Sequence, residues 1–266
     1  MSPGSVPMID VGQFGHLDES TAPTDFVKWM EHQRRAGSDR ALDLLGLDDH
    51  DWVLDIGCGT GVDLEALAQR AGHAIGIDRS FTMASATRTR QHLGPASAAV
   101  ADGQMLPFAS DTFDACWARA VLIHTDHPQH VVDEIARILS DGGRVVLSEP
   151  DHGSHIVSTS EPEIFERVKQ HRRSRFRHPL VGRRLADLAA TAGLAVTATW
   201  VSPIVHRSFA SARAAGGPFD VAVEAAVADA AITKEDGEHY LASLAELDER
   251  GAFFFAGLAV CIAATT

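Results

Sequence analysis

Short apolar runs ending in acid or glycine alternate with helix-spaced apolar positions through the first half of the chain. Val53-Leu54-Asp55-Ile56 reads as a buried strand, and from Val62 onward Leu64, Leu67, Ala68 and Ala71 share one helix face. The alternation repeats: strand Ala74–Asp78, helix Ser80–Gln91, strand Ser97–Ala101, strand Phe113–Trp117, and a helix opened by Pro128 that presents Val131, Val132, Ile135, Ile138 and Leu139. A turn at Asp141-Gly142-Gly143 leads into a fifth strand, Arg144–Ser148, which runs into Glu149-Pro150-Asp151. Such an order predicts an α/β fold, a doubly wound, mostly parallel sheet with its site at the carboxyl ends of the strands.

The second half is less regular. A helix is expected from Pro162, another over Leu180–Ala192 stopped by Gly193, then strand Leu194–Val201. Helices near Pro218–Ala230 and Lys234–Glu249 follow, the latter capped by Thr233 with Asp236, and strand Ala252–Ala264 closes the chain. At the other end, helices are expected over about Thr24–Arg35 and Asp39–Leu45. Phe26, Trp29 and Met30 there either pack on the core or cover a ligand. One domain is expected: residues 1–50 as arm and lid, 51–150 as the ligand-binding core, and 151–266 carrying inserts that cap a substrate.

Between the first strand and helix the chain reads Asp55-Ile56-Gly57-Cys58-Gly59-Thr60-Gly61. Glycines let a ligand approach bare backbone beside helix-terminal N–H groups. The spacing is G-x-G-x-G, whereas a dinucleotide loop needs G-x-G-x-x-G, and Val62 stands where no glycine follows. Asp55 repels pyrophosphate but suits a cationic amine. Asp78, at the end of the second strand, offers two acceptors to vicinal ribose hydroxyls or else caps the next helix. Asp102-Gly103, after the third strand, could meet an adenine edge or form an ordinary turn.

This loop, with the segment Leu106-Pro107-Phe108 followed by Asp111, Phe113 and Asp114, resembles the class I S-adenosylmethionine-dependent methyltransferases, most closely their UbiE-like small-molecule branch. The resemblance is specific over Val53–Pro150 and loose elsewhere. It implies a Rossmann-like seven-stranded sheet with an antiparallel last strand. It further implies S-adenosyl-L-methionine as cofactor, held by Asp55, Gly57, Cys58, Gly59, Asp78, Arg79, Met83, Asp102, Gly103 and Arg119. Methyl transfer would go to an O, N or C atom of a small, partly apolar metabolite, quinone-like or a product of secondary metabolism. The alternative is a protein of this fold that binds the cofactor without transferring the methyl, as a cyclase, isomerase or sensor.

His124, after the fourth strand, is the first candidate for a base, with Glu149 or Asp151 after the fifth as its orienting acid. His124 could equally be a structural loop residue, and Glu149 a capping carboxylate. The triplet His124, His127, His130 and the pair His152, His155 raise a metal, but neither brings a fixed acid or cysteine, so no metal is expected. The basic run Arg167–Arg184 is either a solvated helix face or a reader of acidic groups on the acceptor, through Arg183 and Arg184.

Charge narrows the partners. Thirty-six acidic against 23 basic residues give a formal net charge of −13, which disfavours nucleic acid. The place after the fourth strand reads Ala118-Arg119-Ala120-Val121 and lacks the Asn/Asp-Pro-Pro-aromatic tetrad of enzymes that methylate base amines. Three scattered cysteines, no leader-like start and no apolar stretch of spanning length predict a cytoplasmic protein away from membranes. The oligomeric state stays open, with a homodimer allowed.

Overall fold

The computed structural model describes residues 38–89 and 96–266. Helix α1 (Ser38–Leu45) leads to β1 (Trp52–Ile56), α2 (Val62–Ala68), β2 (His73–Asp78), α3 (Phe81–Arg88), β3 (Ala96–Val100) and β4 (Phe113–Arg119). A 3₁₀ turn, Leu122–His124, precedes α4 (Pro128–Ile138) and β5 (Leu139–Val157). The rest is α5 (Pro162–Ser174), a 3₁₀ turn Val181–Arg184, α6 (Leu185–Thr191), β6 (Ala195–His206), α7 (Phe209–Ala214), α8 (Asp220–Ala228), α9 (Lys234–Glu249) and β7 (Phe255–Thr265). The lid expected around Phe26, Trp29 and Met30 lies outside the described residues.

The seven strands form one sheet in the order β3-β2-β1-β4-β5-β7-β6. Pairs from β3 to β5 are parallel, and β7 runs antiparallel between β5 and β6. The order reverses between β1 and β4, so the loops after these two strands open a crevice at the carboxyl edge. One face buries Leu54, Ile56 and Ile77 against α4 and α6, and the other buries Val53, Trp117 and Val146 against α1 and α2. Helices α5 and α7–α9 hold a separate cluster around Phe165, Phe219 and Tyr240, joined to the sheet through Phe255.

Four expectations need correction. Strand β5 does not stop at Ser148: it pairs with β7 from Arg144↔Thr265 to Val157↔Phe255, with a bulge between Asp151 and Ile156. Glu149, Pro150 and Asp151 therefore sit in a strand, because β7 supplies a partner past the point where the parallel sheet ends. Residues 180–192 are a 3₁₀ turn followed by a short helix. Strand β6 continues through Pro203 to His206, which an edge strand tolerates. Helix α7, capped by the Ser208 hydroxyl that accepts from the Ser211 N–H, was not anticipated. The Thr233–Asp236 capping box of α9 is present as expected.

Candidate active site

Gly57, Gly59 and Gly61 all have left-handed backbones, with φ of 69°, 54° and 80°, which explains why no other residue type suits them. A Cβ on Gly57 would lie 2.5 Å from Val121 Cγ2, so the glycine loop also touches the loop after β4. The turn is tied down from outside: Cys58 N–H donates to Ile77 C=O at 2.9 Å, and the Thr87 hydroxyl donates to Gly59 C=O at 2.7 Å. The Cys58 thiol is buried, and burial, followed by the charges of Asp55 and Asp78, pushes its pKa far above the usual value. It is a packing group.

Asp78 anchors the loop. One carboxylate oxygen accepts from Gly59 N–H at 2.9 Å, the other from Ser80 N–H at 2.8 Å. Burial raises its pKa while these two donors and Arg79 pull it back. Each oxygen keeps a further lone pair that can accept another hydrogen bond. Asp55 is buried at the end of β1 at 2% exposure. Met83 is buried in α3 and Arg79 half-buried before it. Asp102 is exposed and accepts from Gln104 N–H at 2.9 Å, the ordinary turn geometry, while Gly103 packs so closely on β1 that a Cβ would lie 2.9 Å from Ile56. These parts suit an adenosyl sulfonium: bare backbone, fixed acids, and no basic cluster on the loop for phosphates.

Sequence reasoning missed three residues here. Asp63 lies under the start of α2, accepts from Trp117 Nε1–H at 3.2 Å and sits 3.3 Å from Arg119 Nε. Arg119 thus reaches the loop through Asp63, with its guanidinium 5.2 Å over the Trp117 ring. Glu134 and Arg137 of α4 clamp the Leu106–Phe108 segment: Leu106 N–H donates to Glu134 at 2.6 Å, and Arg137 donates to Phe108 C=O at 2.8 Å. Acid and base three apart on a helix were the only signal available.

The acceptor side is built on Glu149. Its carboxylate, 0% exposed, accepts N–H bonds from Val121 and Leu122, both at 2.8 Å, and from Ile123 at 3.3 Å. Burial outweighs those donors and pushes its pKa up to about 7. Ala120, just before, takes a left-handed φ of 54° and ties its N–H to Ser148 C=O at 2.8 Å. His124 closes this turn, half-buried, with its pKa lowered to about 4 by burial and then by Arg79 and Arg177. Both expected orienters are engaged elsewhere. Glu149 is committed to the loop amides, and Asp151 takes Arg183 Nε at 2.6 Å and Nη2 at 3.1 Å.

Most of the basic run is likewise paired: Arg167 with Asp236, Lys169 with Glu166, Arg175 with Asp229, Arg177 with Asp126, Arg184 with Asp187. Among the described residues no group of three or more His, Cys, Asp or Glu side chains could hold a metal, and no helix is long and apolar enough to cross a membrane.

Comparison with known proteins agrees with this geometry. A methyltransferase-domain family model matches residues 54–147. An uncharacterized 37.1 kDa protein in transposon TN4556 of Streptomyces fradiae is 32% identical over 192 residues, 68% of this chain and 55% of that protein. A demethylmenaquinone methyltransferase of Clavibacter sepedonicus is 36% identical over 98 residues, 36% of this chain and 40% of that one. The matched part of the chain thus spans about half the length of these relatives. The YcgJ protein of Bacillus subtilis shares the fold, with a TM-score of 0.61 at 18% identity over 86% of this chain and 97% of that one. Residues 54–147 are thus a methyltransferase domain, set in the fold of the class I S-adenosylmethionine-dependent methyltransferases.

Proposed function

We propose that this chain transfers the methyl group of S-adenosylmethionine to an O, N or C atom of a small, partly apolar metabolite. The observation that carries the reading is convergence. The glycine loop, Asp55, Asp78 and Asp102 on one side, and His124 on the other, meet along one sheet edge at the point where strand order reverses. Asp78 receives the ribose hydroxyls on its two pre-oriented oxygens, and Asp55 faces the cationic amino group. Asp102 and Gly103 flank the adenine, while Cys58, Arg79, Met83 and Arg119 shape the walls. When bound, the cofactor supplies an electrophilic methyl on sulfur; the protein aligns the acceptor with it. His124 contacts the acceptor, and residues 151–266 cap it. The Clavibacter relative is named for methylating demethylmenaquinone, which supports a ring-bearing, partly apolar acceptor here.

The test is calorimetry with S-adenosylhomocysteine, with a nicotinamide nucleotide as control, followed by methyl-labelled cofactor and a metabolite panel. Binding of the first ligand and a labelled product support the proposal. Preference for the nicotinamide nucleotide refutes it. Cofactor binding with turnover to unlabelled product would instead assign a cyclase or isomerase role.

A further inference from the structure

Phe176 stands between two histidines from different parts of the sheet edge. His152 of β5 stacks on it with ring centroids 4.0 Å apart and planes 18° apart, and His124 approaches it at 6.0 Å. His155 meets His152 edge-on at 5.4 Å and lies 5.3 Å from Phe255. The rings His124–Phe176–His152–His155 form a chain of neighbours that links the turn after β4 to the extension of β5.

Arg172 decides what His152 can do. This arginine, 6% exposed, places Nη1 2.7 Å from His152 Nδ1 and donates through Nη2 to Gly216 C=O at 2.8 Å. A guanidinium offers only N–H groups, so the nitrogen facing it is the bare one. His152 is therefore the neutral Nε2–H tautomer, consistent with a pKa held well below the usual range by burial and Arg172. His152 is 7% exposed. Among the described residues its Nε2–H meets no acceptor, and neither nitrogen of His155 makes a hydrogen bond. These groups are open to a ligand's hydrogen bonds, and they belong to neighbouring rings, His152 buried and His155 half-buried beside it.

Resting on the methyl-transfer reading, we infer that His152 is an acceptor-binding residue whose Nε2–H, fixed as a donor by Arg172, hydrogen-bonds the hydroxyl oxygen of a phenol-like ring lying along the imidazole row. His155 completes the pair by accepting the hydroxyl proton of that ring in a hydrogen bond. A hydroxyl meets both demands because it accepts and donates at one atom; an ammonium group has only donors.

The test uses 2-naphthol against naphthalene, both titrated into protein saturated with S-adenosylhomocysteine. Wild type should prefer 2-naphthol by about tenfold. His152→Phe, which keeps the stack and removes the N–H, should reduce that preference to about twofold or less, and His152→Gln should restore part of it. All three proteins should bind S-adenosylhomocysteine alike. If wild type fails to bind S-adenosylhomocysteine, the methyl-transfer reading falls. If it binds and the hydroxyl preference is absent, or persists in His152→Phe, the His152 assignment falls. Nitrogen-15 spectra of wild type give a check independent of any variant. His152 should show the Nε2–H tautomer, and its Nε2 resonance should move with 2-naphthol; an Nδ1–H tautomer or an unmoved resonance overturns the inference.

Discussion

Replacing Glu149 with glutamine probes how the acceptor edge is held. Burial raises this carboxyl from 4.5 to about 7 in the folded protein, while in the unfolded chain it ionises near the ordinary value. Between these limits the native state keeps a proton that the unfolded state has released, so stability falls as pH rises through the window and levels off above it. A rise of roughly 2.5 units at about 1.36 kcal/mol each gives about 3 kcal/mol. Glutamine cannot ionise, yet its carbonyl still accepts from Val121 and Leu122. Its NH₂ faces the Ile123 N–H instead, and losing that 3.3 Å contact costs about 1 kcal/mol at every pH. Urea unfolding of both proteins from pH 4 to 8.5 gives the difference directly. Asp78 and every other shared group cancel in it. Relative to wild type, Glu149→Gln should gain about 3 kcal/mol between roughly pH 4.5 and 7.5 and change little outside that range. A flat difference, or one of opposite sign, would show that the three amide donors outweigh burial.

Other perturbations reach neighbouring parts of the site. Gly57→Ala must hold a Cβ at φ 69° and 2.5 Å from Val121; a loss of about 2 kcal/mol in thermal unfolding and at least about tenfold weaker S-adenosylhomocysteine binding are expected, and unchanged affinity would detach the loop from the cofactor. His124, with its pKa near 4, is neutral across ordinary assay conditions. Its contribution to kcat/KM should thus show no inflection between about pH 5.5 and 8.5, and His124→Ala should lower kcat by about a hundredfold if it handles the acceptor proton. Unaltered turnover removes it from the chemistry. Thr233→Ala deletes the capping-box hydroxyl of α9 and should cost about 1 kcal/mol in urea unfolding without changing cofactor affinity.

The cofactor half was legible because its constraints are local. Three glycines must take left-handed backbones within five residues, and acids stand at or near the ends of β1, β2 and β3, as Asp55, Asp78 and Asp102. Those requirements write themselves into adjacent letters. The acceptor half depends on partners that no local pattern announces. Glu149-Pro150-Asp151 reads as a strand end because apolar alternation stops there, yet β7 extends the strand with residues from the far end of the chain, pairing Glu149 with Val260. Likewise Arg172 and His152 belong to different elements, and only the packing of α5 onto β5 brings them to 2.7 Å. Asp63 looks like an exposed first-turn acid of α2 and is instead buried beneath Trp117. Helix α7 spans six residues, too few for helical periodicity to emerge.

The sheet edge also separates charge. Asp55, Asp63, Asp78 and Asp102 gather on the donor side of the crevice, where the fixed positive charge of the cofactor belongs. Across from them, burial lowers the pKa of His124, His152 and His155, with Arg177 and, from beside Asp78, Arg79 adding to it at His124, and Arg172 at the other two. Burial is the larger cause of each lowered histidine pKa and disfavours an imidazolium and an oxyanion alike; only the guanidinium contribution favours an oxygen that sheds its proton. With its pKa near 4, His124 is too weak a base to deprotonate an alkyl alcohol. A phenolic or enolic hydroxyl, being the stronger acid, needs far less of it. On the proposed reading, the guanidinium charge and the hydrogen-bonding demand of His152 and His155 favour the same acceptor chemistry, a hydroxyl. Arg172 contributes to both, by fixing the His152 tautomer and by placing positive charge beside the two imidazoles.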